Sequence, residues 1–138
     1  MLRSQLEPVP GAAEAVQRVS KAGLRVCVAS QGKLEKTRLS LELTGLRRLF
    51  ADRALFSAWS VERGKPHPDL FLHAASEMHV EPAGCVAVED TASGVTAAVS
   101  AGMRVFGYAA DSDESALRPA GANTFHSMSD LAGLLGLD

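Results

Sequence analysis

Short runs of apolar residues, several of them β-branched, alternate along the chain with longer segments whose apolar positions recur every three or four residues. This alternation predicts strands and helices in turn, joined by short connections, and therefore an α/β fold with a parallel sheet flanked by helices. Residues 9–22 carry Ala12, Val16 and Val19 at helical spacing, with Pro10 and Gly11 at the start and Gly23 past the end, a helix punctuation. VCVA at 26–29 is apolar throughout, as a strand covered on both faces should be. A helix is expected over 34–43, then a turn at 44–50 leading to a short strand near 54–56. A polar loop spans 60–68. Asp69 is expected to cap a helix running to Met78, with Leu70, Phe71, Ala74, Ala75 and Met78 on one face. After a turn at 82–84, residues 86–88 are the expected central strand, ending in Glu89-Asp90. A helix over 94–101 stops at Gly102, and a strand follows at 104–108. The tail from Ser127 predicts a last helix, capped by Ser129 or Asp130, burying Leu131, Leu134 and Leu135.

Composition narrows the class. The 138 residues are expected to form one domain, large enough to bury a core without staples. Apolar residues make up 46% and charged residues 22%, an ordinary globular balance. Fourteen basic and sixteen acidic residues give a net charge of -2 with no basic run, which argues against a nucleic-acid partner. No apolar run approaches the roughly 18 residues that span a bilayer, so no membrane partner is expected. MLRSQLE at 1–7 lacks the apolar centre of a signal peptide. Cys27 and Cys85 lie in short apolar runs and are expected to be buried, reduced strand cysteines. A cytoplasmic location follows from these expectations.

Ligands of open parallel sheets bind at the carboxyl ends of the strands. Ser30, Lys65 and the pair Glu89-Asp90 lie at such ends or on loops beside them. Taken singly, Ser30 could close a turn or cap a helix, Lys65 could be a solvated loop lysine, and Asp90 could be an N-cap. Adjacent carboxylates repel unless a cation or donors compensate, so the acidic pair is less easily dismissed. Together the four form a coherent set. A hydroxyl can donate to a phosphate oxygen, an ammonium can neutralise phosphate charge, and two carboxylates suit Mg²⁺. The helix after Asp90 adds backbone N–H groups.

VASQGK (28–33), GKPHPDLF (64–71) and VEDTASGVTAAVSAGM (88–103) resemble motifs II, III and IV of haloacid-dehalogenase-like (HAD-like) phosphatases. The subgroup they look most similar to contains β-phosphoglucomutase and phosphoglycolate phosphatase. The resemblance runs from Pro8 onward, and the separations of 35 residues from Ser30 to Lys65 and 25 from Lys65 to Asp90 suit it. It implies a Rossmann-like core and Mg²⁺-dependent phosphoryl transfer from a small phosphorylated metabolite. By position, Ser30 would bind the transferring phosphoryl group, Lys65 would bridge nucleophile and phosphate, and Glu89 and Asp90 would hold Mg²⁺. Gln31 stands where the subgroup often has Asn or Ser, implying an altered backbone or substrate contact at the phosphate. His67 occupies a variable position between Pro66 and Pro68. His73, His79 and His126 are expected at the surface or packed on helices.

The resemblance also implies what these residues do not include. The family's nucleophile is an aspartate in a DxDGT-like motif after the first strand, forming an aspartyl-phosphate. The only D-x-D here is Asp111-Ser112-Asp113, which follows motif IV and is expected to be a solvated loop. The family's helical cap, which selects substrate, is missing too, and LEPVPGAAEAV (6–16) resembles the segment by which a chain re-enters the core from that cap. The sequence thus reads as the C-terminal part of such a core. In the family the motif I strand lies between the strands ending in motifs II and IV. Its loss predicts either a closed-up sheet or pairing between chains through exposed edges, hence an oligomer. Two readings follow. One is a phosphohydrolase, truncated or completed by another polypeptide, with little turnover as this chain. The other is a non-catalytic domain that keeps the fold and acts by association. A receiver-like signalling domain fits poorly, because its acidic pair would come early in the chain.

Overall fold

The computed structural model describes residues 9–110 and 113–137. The sequence RVFGY extends as predicted, and it anchors the larger half of the molecule. This strand, β4 (Arg104–Tyr108), is buried from Val105 onward. It lies between β3 (Val86–Glu89) and β5 (Asn123–Phe125), parallel to both. Its side chains alternate between two layers, as the pleat requires. On one face Val105, with Ala87 of β3, packs against Val95, Ala97 and Ala98 of α4 (Ala92–Ser100) and Leu117 of α5 (Glu114–Ala120). On the other, Phe106 and Tyr108 meet Phe125, Ala15 of α1 (Ala12–Lys21) and Leu131 of α6 (Leu131–Leu134).

The second sheet is smaller. β1 (Val28–Ser30) pairs in parallel with β2 (Leu55–Ser57), so that Ser30 stands beside Ser57. Between them run α2 (Leu34–Leu43) and two short 3₁₀ turns. Leu70 and Ala74 of α3 (Asp69–Glu77) seal β2 through Phe56. Leu70 is fully buried, whereas its neighbour Phe71 turns into the core of the first sheet. Ala29 touches both cores. Helix α3 and this one alanine therefore join the halves.

The α/β class and the parallel sheets flanked by helices are as the sequence predicts, but the arrangement of strands differs in an instructive way. Among the described residues β1 and β3 share no ladder, and the strands fall into two sheets rather than one. The sheet has not closed up. Residues 86–88 consequently form an edge of their sheet instead of its centre, and Val86 and Val88 are each 38% exposed. The cysteines are likewise not the buried pair expected. Both are free, Cys27 is exposed and Cys85 half-buried, each just ahead of its strand.

Local differences have local causes. Asp69 is the first helical residue of α3 rather than its cap, and its carboxylate pairs with Arg63 at 3.1 Å. The Arg63 guanidinium holds Asp69 below the usual carboxylate range. Two elements near the C-terminus went unread. Asp113 accepts the Ser115 N–H at 2.9 Å and so caps α5, and β5 follows after Gly121, whose φ of 117° suits glycine alone. The other two residues of the D-x-D lie outside the described residues. In the tail, Ser127 accepts from the Ser129 N–H and starts a 3₁₀ turn that leads into α6. Leu131 is buried there, but Leu134 is 41% exposed. Among the described residues no helix is long and apolar enough to cross a membrane.

Candidate active site

The carboxyl ends of β1 and β3 face the same pole of the molecule, and Lys65 spans them. Its ammonium donates to the Ala29 carbonyl at 3.3 Å and to Glu89 Oε2 at 2.7 Å. It also lies 5.3 Å from the centre of the Phe71 ring. Only 10% of the side chain is exposed, as for Glu89, so this is no solvated loop lysine. The ion pair is thus a bridge between the two half-sheets, built in a place that water barely reaches.

Two contacts hold the Lys65 loop in position. Gln31 Oε1 accepts the Lys65 backbone N–H at 3.0 Å, and the Gln31 amide packs closely against Gly64. A Cβ at residue 64 would sit 2.6 Å from Gln31 Nε2, so only glycine allows this approach. Gln31 therefore ties the loop after β1 to the loop that carries Lys65. Ser30 takes the turn role as well: its Oγ accepts the Gly32 N–H at 3.2 Å. The Lys65–Pro66 peptide is cis.

On the β3 side the cap of α4 is Thr91, whose Oγ1 accepts the Gly94 N–H at 3.1 Å. Asp90 is thereby relieved of the capping role that the sequence left open, and it stays exposed at the strand end. Glu89 folds against the first turn of α4. A Cβ at residue 94 would collide with Glu89 Oε1, so Gly94 makes the cradle for this carboxylate. Burial pushes the Glu89 carboxyl above the usual range, the charge and hydrogen bond of Lys65 oppose it, and Asp90 raises it further. Glu89 and Asp90 give two oxygen-bearing side chains of the kind that Mg²⁺ takes, together with water and phosphate. That donor set suits the ion. Among the described residues no group of three or more His, Cys, Asp or Glu side chains could hold a metal.

Ser30, Gln31, Lys65, Glu89 and Asp90 thus share one pole, as their positions after strands predict. The histidines do not join them as ligands. His67 is exposed, His73 packs edge-on against Phe56 with ring centres 5.6 Å apart, and His126 pairs with Glu114. Sequence reasoning missed the supporting residues Gly64, Gly94, Thr91 and Ser57. For the glycines the only sequence signal was their place one residue before Lys65 and early in a helix.

The comparisons with known proteins give the family and the fold. Residues 1–102 match the family model for haloacid dehalogenase-like hydrolases. The chain belongs to that family. It is 32% identical over 131 residues to the 6-phosphogluconate phosphatase of Escherichia coli K12, covering 95% of this chain and 58% of that protein. It is also 32% identical over 110 residues to the β-phosphoglucomutase of Bacillus subtilis, covering 78% of this chain and 47% of the relative. Among solved structures, a HAD-family hydrolase from Deinococcus radiodurans with bound phosphate and sodium superposes with a TM-score of 0.86 at 30% identity, over 94% of this chain and 59% of that one. The chain spans about half the length of these relatives, between 47% and 59%.

Proposed function

We propose that this chain carries the phosphate- and Mg²⁺-binding half of a HAD-type phosphoryl-transfer site acting on a small phosphorylated metabolite. The bridge from Lys65 to Glu89 and the Ala29 carbonyl is the observation that carries the reading. A structural lysine would gain little from an ordered ion pair with a carboxylate already pushed upward by burial. A lysine poised between two strand ends can release Glu89 to a cation and turn to an incoming phosphate. Ser30 Oγ and Lys65 Nζ would hold the phosphoryl oxygens, Gln31 would fix the loop between them, and Glu89 and Asp90 would hold Mg²⁺. Bound there, the ion would neutralise phosphate charge as phosphorus is attacked.

The nucleophilic aspartate that the family requires is not among the five residues gathered here, and no DxDGT-like motif occurs in the 138 residues. Phosphate contacts alone do not replace a covalent nucleophile, so this chain by itself turns over little or nothing. The opening between β1 and β3, with Val86 and Val88 exposed on its rim, suits a strand from another segment or another chain, and such a strand would bring the nucleophile in. The same opening favours a second reading, a non-catalytic domain that works by strand association. Hydrolysis of p-nitrophenyl phosphate with Mg²⁺ by the purified 138-residue chain separates the possibilities. No turnover is expected, with Mg²⁺-dependent binding of inorganic phosphate that Lys65→Ala abolishes. Turnover that depends on Lys65 would overturn the inactivity, and absence of phosphate binding would favour the association domain.

A further inference from the structure

Trp59 is the only tryptophan of the chain, and at 69% it is the most exposed of the large apolar side chains among the described residues. A single exposed apolar residue ordinarily needs no explanation. This one is held in place by a chain of hydrogen bonds that begins at the phosphate loop. Ser30 Oγ accepts the Gly32 N–H at 3.2 Å, and the Gly32 carbonyl accepts from Ser57 Oγ at 2.6 Å. Ser57 Oγ in turn accepts the backbone N–H of Trp59 at 3.1 Å. Ser57 is a polar side chain only 1% exposed, and its register partner across the sheet is Ser30. The turn carrying Trp59 is therefore coupled rigidly to the loop after β1. Lys33, three residues beyond Ser30, places its ammonium 4.6 Å over the centre of the indole ring. Trp59 and Lys33 line a recess of about 340 Å³ that Ser57 and Glu35 also border, at the carboxyl end of β2 beside the Ser30 register position.

We infer that Trp59 is a specificity-determining residue, whose ring packs against the C–H face of the non-transferring body of a phosphorylated sugar or sugar acid while Ser30 and Lys65 hold its phosphate. The inference deepens the proposed phosphate half-site and rests on it. An indole supplies a broad apolar face at small entropic cost, and carbohydrate C–H groups pack on such faces. Lys33 orients the ring by its cation–π contact on one face, and Glu35 on the same recess offsets its charge, so the selectivity rests on the ring.

Because Trp59 is unique, its fluorescence reports the contact directly and needs no turnover. The probe is 6-phosphogluconate, titrated into the 138-residue chain with Mg²⁺, with inorganic phosphate and unphosphorylated gluconate as separate titrants. A saturable change in emission with 6-phosphogluconate is expected, at a concentration about tenfold below that at which calorimetry detects inorganic phosphate. Trp59→Ala should remove that tenfold advantage, read by calorimetry, and leave inorganic phosphate binding within about twofold. Lys33→Met should weaken 6-phosphogluconate several-fold and leave inorganic phosphate within the same twofold. Phosphate binding with no emission change and no advantage for 6-phosphogluconate would overturn the inference while sparing the half-site. Equal response to gluconate would overturn its coupling to the phosphate. Failure of inorganic phosphate to bind would overturn the half-site and this inference together.

Discussion

The two half-sheets make an unequal pair. The three-stranded one is covered on both faces, by α4 and α5 on one side and α1 and α6 on the other, and its middle strand β4 is almost wholly buried. The two-stranded one is covered chiefly through β2, while β1 stays half-buried from end to end. Yet most of the candidate chemistry lies on or beside the thinner half: Ser30, Gln31, Lys33, Trp59 and Lys65. The better-packed half contributes only Glu89 and Asp90. Its role is to hold those carboxylates still, through Thr91 and Gly94 at the start of α4. What joins the halves is Leu70–Phe71 of α3, Ala29 and the Lys65–Glu89 pair.

The two halves are most sensitive to loss of side-chain volume in their cores. Leu117→Ala in the larger half and Leu70→Ala in the smaller should each cost about 2–5 kcal/mol, because both side chains are fully buried and their cavities cannot collapse completely. Denaturant unfolding should then show one shared transition if α3 truly couples the halves. Separate transitions in Leu70→Ala would mean that the two-stranded half unfolds by itself.

A smaller effect is expected at the bridge, with a pH signature. Burial raises the Glu89 pKa in the folded state and Lys65 opposes that rise. A carboxyl with a raised folded-state pKa loses stability as pH climbs from its unfolded value through its folded one. Lys65→Met removes the opposition, so Glu89 should move further up and the loss should widen toward neutrality. The variant should match the parent most closely in acid and fall about 3 kcal/mol behind at neutral pH, the low end for breaking a nearly buried pair. Denaturation curves at several pH values would measure this, and a pH-independent loss would point to packing of the lysine stem instead.

The smallest effect should come from the exposed charges of the thinner half. Arg38 and Arg47 both reach Asp52 at 2.9 Å, and the Arg38 hydrogen bond holds Asp52 below its usual range. The sign is opposite to that of Glu89. Any stabilisation is present above the ordinary carboxylate range and fades as pH falls. With both partners in solvent, Asp52→Asn should change the unfolding midpoint only marginally, and salt should shrink the difference further.

Cys27 sharpens the contrast in another way. Although the residue keeps solvent access, the protein around its sulfur, and then the Cys85 thiol, push its pKa up to about 11. The two thiols belong to opposite halves, one just ahead of β1 and the other just ahead of β3.

Much of this was legible in the chain itself. The helix Leu34–Leu43 and the strand Arg104–Tyr108 lie where periodicity puts them, since each carries its own pattern and punctuation. The site residues were legible for a related reason: a parallel strand must end at the ligand-binding pole, so Ser30 and Glu89-Asp90 could be placed from the strands before them. Helix α5 and strand β5 were harder. NTF is too short for a pattern, and α5 contains Pro119, which reads as a breaker. What sequence alone determined, then, was the family, the order of elements and the pole on which the polar groups stand, because these depend on neighbours a few residues apart. Only the tertiary structure decided that β1 and β3 stay apart, that Val86 and Val88 meet solvent, and that Lys65 bridges the halves. Those outcomes depend on which distant segments pair and what covers them, and local periodicity carries no record of either.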